Sequence, residues 1–161
     1  MTRIDQETDA FVARLATIGS RPDVAAIPWI GAYELALPFR LPPHFRSLIT
    51  RYSFCPFEWR DVLFFGNLGN GDHTDLVVAS VRDPLLTRVT RSHGLLHVGR
   101  PASGSYDPVC FDMSRRSKTG DAPLVRLDHE EILIKERVRM VHTYAATFSD
   151  FMGSEAVGQT S

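Results

Sequence analysis

The run Ser105-Tyr106-Asp107-Pro108-Val109-Cys110-Phe111-Asp112 leads through Gly120-Asp121 to Pro123-Leu124-Val125-Arg126-Leu127-Asp128-His129-Glu130-Glu131-Ile132-Leu133, and it decides the fold class. Two short apolar segments bounded by turn residues predict two strands, over 107–113 and 123–128, joined by a basic loop. Acidic residues stand at both strand ends. Glu131 to Ile134 extends the pattern as a short edge strand.

Working outward, Leu95 to Val98 predicts a further strand, and Asp83 to Arg91 a short helix. Asp61 to Phe65 and Thr74 to Val81 flank a glycine-rich stretch. Asn70-Gly71 in that stretch is a type I′ turn signal, because both central residues of that turn need positive φ. These segments are expected to form a hairpin with a long loop. Near the N-terminus, Phe11, Val12, Leu15 and Ile18 recur at helical spacing, and Gly19 and Pro22 close that helix. Ala25 to Pro38 is apolar but broken by Pro28, Gly31 and Pro38, which predicts an irregular helix or an extended stretch. Leu41-Pro42-Pro43 opens another helix, with proline tolerated in the first turn. Its apolar face is Phe45, Leu48, Ile49 and Tyr52. Thr147 to Asp150 matches a capping box ahead of Phe148, Phe151 and Met152, so a short C-terminal helix is expected. The reading is an α+β single domain over residues 1–152. A mainly antiparallel sheet of five to six strands carries N-terminal helices and the C-terminal helix, and a flexible tail covers 153–161.

The chain's 161 residues suffice for one core. A net charge of −1 gives no reason to expect a nucleic-acid or membrane-surface binder. Two cysteines are too few for a disulfide scaffold, and no stretch has the apolar length of a membrane span. No apolar signal-peptide core follows Met1, so a cytoplasmic location is expected.

Enzyme motifs are missing. His129-Glu130-Glu131 has Leu133 where a zinc protease places its second histidine. His93 and His97 lack a neighbouring carboxylate or cysteine. The glycines of 66–72 precede a predicted strand without the lysine of a phosphate loop. No Gly-x-Ser-x-Gly occurs, and Cys55 has no nearby charge to activate its thiol. No cofactor and no metal are expected.

The order of landmarks carries a resemblance. A helix opens with Leu41-Pro42, and a glycine-containing segment, Gly104 to Asp112, leads into an Asp-ended strand. A later strand ends in Asp128-His129-Glu130, and Thr147-Phe148-Ser149-Asp150-Phe151 begins the last helix. From Leu41 to Met152 this set resembles the SUKH superfamily, in the branch named for a yeast cell-wall-synthesis regulator. The resemblance implies helices packed on an antiparallel sheet and a role without a catalytic residue set. Bacterial members are thought to be immunity proteins that neutralise polymorphic toxins, often nucleases. Eukaryotic members look like scaffold or regulatory modules.

The first expectation is therefore a non-enzymatic immunity protein that covers a toxin's active surface. Its partner is a protein, with nuclease-type toxin domains among the candidates. Trp59, Tyr106, Asp107, Asp112, Arg115, Arg116 and Lys118 are the expected contacts, chosen by residue type and expected exposure. Trp59 sits among Glu58, Arg60 and Asp61. The four aspartates at 107, 112, 121 and 128 offer an acidic answer to a basic toxin face, against the plainer reading of turn and strand-end chemistry. The alternative is a regulatory or scaffold module with an endogenous cytoplasmic partner. A third reading, a small hydrolase, requires a pocket that brings His129 within hydrogen-bond reach of Asp107 or Asp128.

Overall fold

The computed structural model describes residues 1–25 and 27–158. Helix α1 (Arg3–Thr17) is followed by the short strand β1 (Asp23–Val24) and by helices α2 (Ile30–Ala36) and α3 (Pro43–Arg51). Strands β2 (Tyr52–Ser53), β3 (Phe57–Trp59) and β4 (Val62–Phe64) come next, then a π-helical segment, Val78–Arg82, and helix α4 (Pro84–Ser92). Strands β5 (Leu95–Pro101), β6 (Val109–Asp112) and β7 (Leu124–Leu127) lead to helix α5 (His129–Lys135), strand β8 (Met140–Ala145) and helix α6 (Phe148–Gly158). Strands β3 to β8 form one sheet in sequence order, every pairing antiparallel, while β1 pairs with β2 apart from it. This is the α+β class expected. Most of the expected tail, 153–161, lies outside the described side chains.

Helices α1, α4, α5 and α6 start where a side chain satisfies orphan amides, whereas α2 and α3 have no side-chain cap. Thr2 and Asp5 form a reciprocal capping box on α1. Asp83 caps α4 through the amides of Leu85 and Leu86, and Thr147 accepts from the Asp150 amide at the start of α6. Helices α1 and α3 are tied by a polar seam in which Arg51 pairs with Asp9 at 2.9 Å and the Tyr52 hydroxyl donates to Asp9 at 2.6 Å.

The main core lies between one sheet face and α1, α3 and α6. Its centre is a set of rings, Phe11, Phe45, Phe64, Phe111 and Phe148, meeting mostly edge to face. Such pairs add about 0.5–1.5 kcal/mol each beyond area burial. On the opposite face, Leu95, Cys110, Val125 and Leu127 pack under Val89 of α4 and Ile132 of α5. Asn67 has no exposure and binds three backbone groups: its amide donates to the carbonyls of Ile49 (3.2 Å) and Tyr52 (2.8 Å), and its carbonyl accepts from the Phe54 amide (2.9 Å).

Three expectations are corrected. The hairpin at β4 closes backward onto β3, with Trp59 opposite Val62, through the two-residue turn Arg60-Asp61 at φ 49° and 67°. Thr74 to Val81 is not its partner strand. Asp75 accepts from the Val77 amide at 2.9 Å and starts a helical turn that runs on into the π-helical segment, so a local cap overrides a β-branched run. Glu131 to Ile134 is the body of α5, not an edge strand, because Asp128 accepts from the amides of Glu130 and Glu131. The edge strand is β8, which periodicity did not single out.

Candidate functional site

The aspartates predicted as an acidic surface turn inward. Asp112 is only 1% exposed; it caps the following 3-10 turn through Ser114 and holds Arg115 at 2.7 Å. Asp121 is buried and accepts from the amides of Ala122, Phe148 and Ser149, so it ties the hairpin to the start of α6. Asp128 caps α5 and pairs with Arg139. Asp107 is buried between Arg126 and His129. None of the four offers a free carboxylate to a partner.

Trp59 is likewise removed from the surface. It is 2% exposed, lies edge-on to Phe11, and donates from Nε1 to the Phe151 carbonyl at 3.0 Å. The charges beside it occupy the outward position of the strand and the turn, which the period of two sends away from the core. Of the predicted contacts, Tyr106 is 74% exposed, and Arg115, Arg116 and Lys118 are on the surface. Arg115 Nη2 lies 3.7 Å from Met140 Sδ, so the basic loop reaches the exposed strand β8. Met140 and Val141 are both exposed there, and β8 has only β7 beside it in the sheet.

Asp107 and His129 form a dyad at the edge of the buried region. Asp107 Oδ1 accepts from His129 Nδ1 at 2.5 Å and from the His129 amide at 3.0 Å, while Oδ2 accepts from Arg126 Nε at 2.7 Å. A carboxylate can only accept here, so Nδ1 is the donor, and Nε2 makes no hydrogen bond among the described residues. Burial pushes the Asp107 carboxyl up, but the hydrogen bonds from His129 and Arg126 outweigh it and hold the group below its ordinary value.

His129 lines a cavity of about 510 Å³ with Phe65, Leu86, His97, Arg100, Tyr106 and Leu133. The condition set for the hydrolytic reading is thus met in geometry. The described cavity wall carries no serine, threonine or cysteine beside His129 for it to activate, so the hydrolytic reading uses water. Asp107, Asp128 and His129 place ligand atoms within 4.8 Å of one another, but the same atoms are engaged with Arg126, Arg139 and the amides of α5.

The sequence offers His97 only beside His93, as a metal-ligand pair with no neighbouring carboxylate or cysteine. Its ring packs on Phe65 at 5.1 Å, Nε2 donates to the Gly99 carbonyl at 3.0 Å, and buried Nδ1 has no hydrogen-bond partner among the described residues. Burial drives its pKa down to about 4, against the opposing pull of nearby carbonyls, so the ring is neutral at pH 7. Both cysteines are free, Cys55 exposed and Cys110 buried. Among the described residues no helix is long and apolar enough to cross a membrane. No protein-family model matches the chain, and no curated protein matches it.

Proposed function

We propose that this chain is a non-enzymatic protein-binding domain of SUKH type, acting in the cytoplasm as an immunity protein that neutralises a toxin by covering its active surface. The observation that carries the reading is the outer strand β8. It exposes Met140 and Val141 at an unpaired sheet edge, with Arg115 against Met140 and Arg116 and Lys118 on the same loop as Arg115. An edge strand presents unpaired backbone groups, and a partner segment can add to it as a further strand. The basic side chains favour an acidic partner segment. Since the four aspartates are engaged internally, this surface suits an acidic face of the toxin better than the basic groove of a nuclease.

The test is a tagged pull-down from the native organism with the wild type and with Met140→Asp/Val141→Asp, both checked by circular dichroism. A secreted protein with a C-terminal toxin domain, held by the wild type and lost by the variant, supports the proposal. Recovery of that protein on both refutes the surface. Reproducible enrichment of endogenous cytoplasmic proteins alone shifts the reading to a regulatory module.

The dyad between Asp107 and His129 favours a second reading, hydrolysis of a small ester with His129 Nε2 taking a proton from water. Turnover of p-nitrophenyl acetate that disappears in His129→Gln would support it, and equal rates in the two proteins would refute it.

A further inference from the structure

The wall of the 510 Å³ cavity is assembled by an irregularity in β5. His97 pairs with Cys110 and Gly99 with Val109, so the register slips by one residue at Val98. In a regular strand residues three apart face opposite sides. The bulge cancels that alternation, and His97 and Arg100 both reach the same cavity. Bulges of this kind re-aim side chains beside functional sites. Gly99 is needed at the bulge, because a Cβ there would meet the Leu63 carbonyl oxygen at 2.5 Å.

The polar groups so collected are unfinished. His97 is 7% exposed, its Nε2 proton is committed to Gly99, the Ala79 backbone lies beside the ring, and its buried Nδ1 has no hydrogen-bond donor among the described residues. Arg100 Nε is buried without an acceptor, and Arg100 takes part in none of the ion pairs among the described residues. Asp83 also lines the wall; its Oδ1 caps α4 and leaves Oδ2. Phe65, Leu86 and Leu133 supply an apolar flank. The volume falls within the roughly 300–1,000 Å³ of small-molecule sites.

These groups select a chemistry. The guanidinium calls for a carboxylate. The His97 lone pair calls for a neighbouring N–H or O–H donor. The Asp83 carboxylate disfavours a doubly charged anion such as phosphate and tolerates an ammonium. We propose that the cavity binds a small α-amino or α-hydroxy acid with an apolar side chain, its carboxylate on Arg100, its α-substituent donating to His97 Nδ1, and its side chain against Phe65, Leu86 and Leu133. The inference does not rest on the β8 surface or on hydrolysis.

Isothermal titration calorimetry on the full chain tests it with L-phenylalanine, L-phenyllactate, 3-phenylpropanoate and 2-phenylethylamine. The expected result is a Kd below about 1 mM for at least one of the first two. Affinity should fall about tenfold for 3-phenylpropanoate, which lacks the donor, and further for 2-phenylethylamine, which lacks the carboxylate. Arg100→Met should abolish binding. Leu133→Glu, at a position that is 54% exposed, should do the same with little change in melting temperature. No heat from any of the four compounds, binding unchanged in Arg100→Met or Leu133→Glu, or 2-phenylethylamine binding as tightly as L-phenylalanine would each overturn the proposal.

Discussion

Replacing Asn67 by alanine tests how the segment between α3 and β4 is held. The side chain has no exposure and serves three backbone groups, the carbonyls of Ile49 and Tyr52 and the amide of Phe54. Alanine leaves all three without that partner, at a position with no exposure to solvent. A buried group stripped of its partner costs about 1–3 kcal/mol. Carbonyls have a second lone pair and fall at the low end of that range, so the sum is about 3–5 kcal/mol. That is a large share of the roughly 5–15 kcal/mol that stabilises a domain. With an m-value near 2 kcal/mol/M in urea, the unfolding midpoint should drop by about 1.5–2.5 M at unchanged slope. A drop below about 0.5 M would refute the reasoning. Asn67→Asp sharpens the test, because it retains the acceptor for Phe54 but turns a carboxylate toward two carbonyl oxygens. Its folded pKa must then lie above the unfolded value near 3.9. Linkage places its extra penalty at neutral pH and relieves it as pH falls through the folded pKa toward 3.9. Asn67→Asp should therefore be the weaker of the two variants at pH 7 and the stronger at about pH 4.

Asp107 gives the opposite sign. Its carboxyl is held below the ordinary value in the folded state, so its stabilisation is present above the unfolded pKa and lost as pH falls through the folded one. Asp107→Asn should lose about 1–3 kcal/mol at pH 7, and the urea curves of the two proteins should converge under acid conditions. Arg60→Asn with Asp61→Gly places the residues that tolerate positive φ at the observed turn, φ 49° and 67°. This pair should raise the melting temperature by about 2–4 °C, measured by calorimetry. In native protein Ellman's reagent should titrate Cys55 alone, because Cys110 is buried and burial pushes its thiol up; both should react once denatured.

What the sequence disclosed depended on how local the deciding interaction was. The hairpin partners β6 and β7, the capped helices α1, α4 and α6, and the proline-opened α3 follow from neighbours within a few residues, and the α+β class follows from them. The errors arose where two local rules competed. Asp75 and Asp128 cap helices in segments whose apolar runs suit strands equally well, and no periodicity over so few residues separates the two. Trp59 stood among the candidate contacts because its neighbours are charged, against a plainer core reading; alternation along a strand makes charged neighbours the expected company of a buried ring. The polar site was legible only in part. His129 and Asp107, 22 positions apart, were a stated possibility; His97 and Arg100 share a wall only through a register slip that no spacing rule encodes.

The last helix carries a consequence for how the chain is made. Phe148 has no exposure and touches the rings of Phe11, Phe45, Phe64 and Phe111, while Trp59 and Arg14 donate to the carbonyls of Phe151 and Met152. Synthesis runs from the N-terminus, and domains close as their parts emerge from the ribosome. Until residues 148–152 are released, the aromatic centre has an open side, however well the meander behind it has paired. The nascent chain must therefore wait for residues 148–152 before this core is sealed, and premature termination upstream of Phe148 would leave an adhesive, aromatic product for the cell's quality control to remove.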